Sequence, residues 1–400
     1  MTVNDRENAM HRFVTAATFT LTIMLATLYG VSQELSLLPT ETEWDENGTP
    51  DESYGGDQGY FSLGLWTDWE YLMAWRSQSN TPPLVTTSPN NGVLPQAQVL
   101  FGNEPLGGEA RPGGRLTIGG WLDKDLSWAI EGRLLLLGRQ TVRFSDDSTN
   151  TSVLARPFVN LTPSGGGIVG EDAAVIAAPG FATGSINVTT ESDVTVADVT
   201  FRRLLVARPG TEVDLTAGYF TSRIDGRLRI DSTSTLLAGT VLDVLDEFDS
   251  VNEYHAGHFG FHVDSFREHW SLRLKGQVAF GNMRQVMQIR GSQSVTVPPG
   301  IAVVTAGGLY AQPTNIGTYE QNRFVISPEF DLNLGYRVNN HIELTVGYMF
   351  LSWNRVIQPS NQIDTSVTPP PAVGPPRPGF NFREDNYVVH GLTLGLNTSF

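Results

Sequence analysis

From Gly59 onward, apolar and polar residues alternate in runs of ten or more, and the connections between those runs alternate between very short and very long. No other feature of the chain restricts its fold as much. The run "RFVISPEFDLNLGYRV" sets Phe324, Ile326, Pro328, Phe330, Leu332, Leu334, Tyr336 and Val338 against Arg323, Ser327, Glu329, Asp331, Asn333, Gly335 and Arg337. Directly after it, "HIELTVGYMF" sets Ile342, Leu344, Val346, Tyr348 and Phe350 against His341, Glu343, Thr345 and Gly347. A period of two is that of a strand with one greasy face and one wet face. About ten such strands are expected, near 60–76, 113–123, 126–144, 198–208, 211–230, 252–265, 269–290, 322–338, 341–357 and 386–400. Tight turns at Lys124-Asp125, Pro209-Gly210, Arg267-Glu268 and Asn339-Asn340 join alternate pairs. Between these lie five long connections rich in Pro, Gly, Ser and Thr: 77–112, 145–197, 231–251, 291–321 and 358–385. Nothing in a soluble sandwich enforces that alternation. A barrel in an outer membrane does, with short periplasmic turns and long external loops. An even number of strands puts both ends on the periplasmic side, where the last strand can pair with the first and remove the edges. The expected fold is therefore all-β: a transmembrane, antiparallel, up-and-down β-barrel over 59–400. Twelve strands would result if 145–197 or 231–251 held a further pair.

The wet faces of these strands carry charge, and in a barrel they point inward. Asp68, Glu70, Glu131, Arg133, Arg273, Lys275, Arg323, Glu329, Asp331, Arg337 and Glu343 are the expected lumen-facing charges. Asp68 with Glu70, and Glu329 with Asp331, sit two apart on one face, a spacing that acid–base catalysis could use. The plainer reading is a lattice of matched charges, because about ten strands enclose a narrow bore that side chains fill. His255, His258 and His262 lie on one strand, with His258 and His262 on the same face. Polar side chains on the wet face account for them, and neither a metal nor a cofactor is expected. No Gly-x-Ser-x-Gly elbow, phosphate-binding loop or His-Glu-x-x-His string occurs, so the chain is not expected to be an enzyme. The chain has no cysteine, which excludes disulfides and thiolate sites, and its net charge of −16 argues against nucleic acid as a partner.

The N-terminus fits export. Arg6, His11 and Arg12 precede the uncharged "FVTAATFTLTIMLATLYGVSQ", with small residues at Gly30 and Ser32. We read 1–32 as a secretory signal peptide, with an uncleaved anchor as the alternative. Residues 33–58 carry acids and no Lys or Arg, and read as a disordered periplasmic segment.

Several strings also resemble a known family. "GTVLDVLDEFDSVNEYHAGHFGF", "WSLRLKGQVAFGNMRQ", the long block "GGLYAQPTNIGTYEQNRFVISPEFDLNLGYRVNNHIELTVGYMFLSWNRVIQPSNQID" and the closing "GLTLGLNTSF" are similar to planctomycete outer-membrane proteins grouped as the seventh beta-barrel porin family. The resemblance spans most of 59–400 and implies fold and location, the cell outer membrane, but no particular solute. A narrow passive diffusion channel with a charged lumen is the expected role. The alternative is a plugged structural or surface-interaction barrel that acts through its long external loops. The lipid bilayer is an expected partner, as are small solutes or ions. In "GLTLGLNTSF", Leu392, Leu394, Leu396 and Phe400 are expected to face lipid and to form the signal read by the barrel-assembly machinery.

Overall fold

A computed structural model of the chain describes residues 64–161, 169–368 and 376–399. The segments read as signal peptide and acidic lead-in, and Phe400, lie outside the described residues. Ten strands form the wall: β1 (Leu65–Arg76), β2 (Arg111–Trp121), β3 (Trp128–Asp147), β4 (Ala182–Arg208), β5 (Thr211–Leu236), β6 (Val241–Arg267), β7 (Trp270–Thr296), β8 (Gly317–Arg337), β9 (Ile342–Ile357) and β10 (Glu384–Ser399). Each pairs antiparallel with its neighbours in sequence. β1 then pairs with β10, from Trp66 opposite Ser399 to Arg76 opposite Val389, and the ring closes.

The wall has two storeys, set by what each face meets. In the lower one, outward positions are large and apolar: Trp69 and Tyr71 on β1, Phe259 and Phe261 on β6, Leu332 and Leu334 on β8, Leu392, Leu394 and Leu396 on β10. Aromatic contacts mark both limits of this band. Trp270 meets Tyr336 at 5.1 Å between ring centroids beside the short turns, and Phe259 stacks on Phe280 at 5.6 Å at the far end. Ten residues of strand rise about 33 Å, or roughly 25 Å along the normal once tilted, which matches the apolar band of outer-membrane barrels.

Above Phe280 the same outward positions become charged. Arg223 bonds Asp225 at 2.8 Å and Glu253 at 2.5 Å, Arg284 bonds Glu320 at 2.6 Å, and Arg290 bonds Asp249 at 2.5 Å. β4 to β7 are 26 or 27 residues long, whereas β1 has 12 and β2 has 11, so one side of the wall stands well above the membrane band.

This extension corrects one expectation. Segment 231–251 is no long loop and hides no extra strand pair. β5 and β6 run through it to a tight turn at 237–240, where Gly239 adopts φ +79 and donates to Leu236 O at 2.8 Å. Four long external connections remain, not five. They fold against the tall wall as a cap. A five-stranded sheet joins Val85–Thr86, Val99–Phe101, Leu154–Asn160, Gly170–Ala177 and Ser366–Val367. Val85 and Leu154 of this sheet, with Leu84 just before it and Tyr310 from the connection after β7, pack against Ile186, Leu228, Phe248 and Met287 of the wall in one buried cluster. Asp246 on β6 ties the cap down. It accepts from the amides of Tyr310 and Ala311 at 3.0 and 2.6 Å and from Arg156 at 2.5 Å. Within the cap, Asp364 is partly buried, yet the Gly379 amide and the Arg377 guanidinium hold its carboxyl below the usual range.

Lipid contact and exposure to water should respond differently to one added charge. Leu394→Arg, mid-band and outward, should destabilise the folded barrel in phospholipid vesicles by about 2–4 kcal/mol in denaturant titration. Leu237→Arg, in the outer turn, should change stability by less than about 0.5 kcal/mol.

Candidate functional site

Strand alternation turns every second residue of the wall inward, and ten strands bring those side chains into contact across the bore. They sort into layers. On the periplasmic side lies an open vestibule of about 390 Å³ bordered by Trp66, Trp121, Glu212, His262, Arg337 and Glu343. It narrows to a space of about 70 Å³ among Glu70, Arg115, Lys275 and Asp331.

Around and beyond this neck the carboxylates and guanidiniums interlock. Arg115 bonds Glu70 through Nη2 at 2.9 Å and Asp331 through Nη1 at 2.5 Å. Arg133 bonds Asp198 through Nε at 2.5 Å and Glu329 through Nη2 at 2.8 Å. Arg202 bonds Glu131 at 2.6 Å and Asp214 at 2.9 Å, and Arg273 reaches Asp68 at 3.2 Å and pairs with Glu343. Gln277 donates to Glu329 at 2.6 Å. Arginine suits this work because its planar fork can serve two carboxylates at once, and burial of each ion requires such partners.

The next layer has no charge. Leu72, Leu135, Val196, Phe220, Tyr254, Met283, Val325, Met349 and Trp353 form one buried cluster across the bore. Every one belongs to the wall itself and not to a loop. Tyr254, Trp353 and Leu72 are 0% exposed.

Of the charges expected in the lumen, Asp68, Glu70, Glu131, Arg133, Arg273, Lys275, Glu329, Asp331 and Glu343 lie on the inner face in these two lower layers. Arg337 stands at the periplasmic rim, 5.4 Å from the Phe266 ring. Arg323 does not join them. β8 and β9 stop pairing at Glu329 opposite Leu351; Ser327 and Val325 stay buried, but the next inward position of β8, Arg323, lies in solvent. Arg323 is exposed there and bonds Glu384 at 2.6 Å. Alternation marks Asp214 as a wet-face charge but not as the partner of Arg202, and Asp198, Arg202 and Asp264, which follow the same inward alternation, are not among the charges expected from the sequence.

The histidines divide by face. His258 is buried beside Thr200 at 3.2 Å, while His255 bonds Tyr219 Oη at 2.6 Å on the outer face. His262 comes together with Asp214 and Asp264, and one ligand atom from each lies within 4.8 Å of the others. That trio could hold a cation, but Arg202 already bonds both carboxylates and supplies their positive charge. The two acid pairs likewise have Arg115, Arg133 and Arg273 as partners.

Removing one member of the lattice should cost far more than an exposed ion pair. Arg133→Met should lower stability by about 3–5 kcal/mol in denaturant unfolding, since it strands Asp198 and Glu329. Arg229→Met, whose partner Asp231 is half exposed, should change it by less than about 1 kcal/mol.

Residues 66–400 match the family described as Putative beta barrel porin-7. No curated protein matches the sequence. Among solved structures, the outer membrane protease OmpT of Escherichia coli is similar at 10% identity and a TM-score of 0.42, covering 86% of this chain and 99% of that one. The translocator domain of the autotransporter NalP from Neisseria meningitidis is similar at 9% identity and a TM-score of 0.25, covering 97% and 98%. The toluene transporter TodX of P. putida follows at 8% identity and 0.16, covering 84% and 90%. At these scores the likenesses carry no functional argument.

Proposed function

The chain belongs to this beta barrel porin family, and from that premise we propose that it is a closed outer-membrane barrel that works through its external storey. The observation that carries the reading is the apolar layer. It is built from wall side chains, so movement of a loop does not open it, and closing the bore requires no plug domain. Solute passage would demand that Leu72, Tyr254, Met349 and Trp353 leave their packing together. What the molecule offers instead lies outside: the raised wall of β4 to β7 with its paired charges, and the cap sheet fixed to it. A rigid platform of this kind suits contact with the envelope surface, a matrix polymer or another protein.

The vestibule favours a second reading, a narrow diffusion channel with charged walls, because it admits water and ions from the periplasmic side. Conductance of the folded protein in a planar bilayer separates the two. The closed reading predicts no ion-conducting steps above the lipid background in protein shown to be folded. Reproducible steps would replace it with the channel.

A further inference from the structure

At its outer end the raised wall finishes in a summit without charge. Three tips meet there. The tight turn between β5 and β6 leans on the start of β4, where the Leu237 amide donates to Phe181 O at 3.3 Å. The hairpin that follows β7 stands beside it, close enough that a Cβ on Gly239 would meet Pro298 Cγ at 3.4 Å. Phe181, Leu237, Val297, Ile301, Val303 and Val304 are exposed among the described residues, Leu237 at 78% and Ile301 at 87%. Residues 178–182, 236–242 and 297–308 contain no charged side chain, although the whole chain carries −16. From Phe280 to Thr296, β7 runs about 50 Å of strand past the apolar band, so this patch does not face the lipid around the barrel. Exposed apolar patches of this kind mark contact surfaces.

The hairpin adds a free backbone edge to the patch. Its returning strand, Val303–Ala306, pairs antiparallel with β7, from Val303 opposite Val295 to Ala306 opposite Ser292, and ends the sheet. Among the described residues no strand pairs with its other side. The Gly307 amide donates to Gly291 O at 3.0 Å. By alternation Thr305 and Val303 then exchange hydrogen bonds with β7, while the N–H and C=O of Val304 and Ala306 point away from it. Free edges are usually guarded by a charge, a Pro or a bulge. Val303–Ala306 has neither charge nor Pro and keeps an unbroken register.

This combination is selective about what can cover it. A charged polymer would find no counter-charge. A facing lipid bilayer would accept the side chains but leave the edge amides without partners. An uncharged strand that brings its own free edge satisfies both demands, and this hairpin is itself such a strand. Resting on the reading that the protein works through its external storey, we propose that the summit joins a second copy of this chain. The two Val303–Ala306 strands pair edge to edge and antiparallel about a two-fold axis. That axis stands perpendicular to the wall and reverses the barrel axis, so the two membrane bands lie at opposite ends and the pair bridges facing membranes.

Sedimentation equilibrium of the folded, detergent-solubilised protein should give twice the mass of one chain at micromolar concentration. Val304→Pro removes an outward amide without touching a bond to β7, and should weaken the dimer by at least about tenfold with Tm unchanged. Vesicles carrying the unaltered protein should cluster in light scattering, and those carrying Val304→Pro should not. A protein that stays monomeric at about 100 µM overturns the proposal, as does a dimer undiminished in Val304→Pro or a failure of the vesicles to cluster. Should that variant lose stability, Val304→Lys, which leaves the backbone intact, takes its place with the same expected loss. Conducting steps in a planar bilayer would remove the closed-barrel reading and leave each of these outcomes as decisive as before.

Discussion

Inside a bilayer every backbone N–H and C=O must find a partner within the protein, and that requirement determines the rest of this structure. The chain meets it by pairing β1 with β10, Trp66 to Arg76 against Ser399 to Val389, so no strand edge faces lipid at the seam. A closed ring of ten tilted strands has a bore of fixed, small width. Half of every strand must then be packed inside it. The interior is consequently a core, with the demands of a core: matched volumes, paired charges and satisfied donors.

Those demands explain the layering. Near the periplasmic mouth, where water enters, ions are numerous and the spaces of about 390 and 70 Å³ persist among them. Deeper in, each guanidinium links carboxylates from different strands, as Arg133 links Asp198 on β4 with Glu329 on β8. Such cross-bore contacts fix the ring's shape as well as its charge. The apolar layer then completes the seal with side chains of the wall. At the outer limit of the apolar band, over the three residues that lead up to Ile326 opposite Phe280, β8 and β9 part above Glu329. One amide of the opened edge, that of Ile326, finds Asn354 Oδ1 at 2.9 Å.

How much of this a reader of the sequence can see depends on which solvent each face meets. Where one face meets lipid, the contrast is stark, as in Phe330, Leu332 and Leu334 against Glu329, Asp331 and Asn333, and strands there are legible. In 182–197 and 231–251 the outer face meets water and the inner face packs on the cap. Polar Thr, Ser and Asp then mix with Ile and Val, and the signal fades although the strands continue. The inward charges could be read from alternation, but their partners could not. Which acid meets Arg202 depends on ring closure and shear, which join positions 131, 214 and 264 from three strands. Arg323 shows the converse, since alternation places it inward while the parting of β8 from β9 leaves it in solvent. The cap core was hidden for the same reason: Leu84, Leu154 and Tyr310 come from three separate connections.

The central claim is that the mid-lumen is a dry core of wall side chains, and the absence of cysteine allows it to be tested residue by residue. Single cysteines would be placed at Glu212 in the vestibule and at Ala279 and Val325 in the apolar layer. Labelling by a small water-soluble maleimide would then be followed in the folded, vesicle-reconstituted protein. The account predicts rapid labelling at position 212 and none at 279 or 325 until the barrel is unfolded. Rapid labelling at 279 and 325 in the folded state would show a water path through the barrel and contradict it.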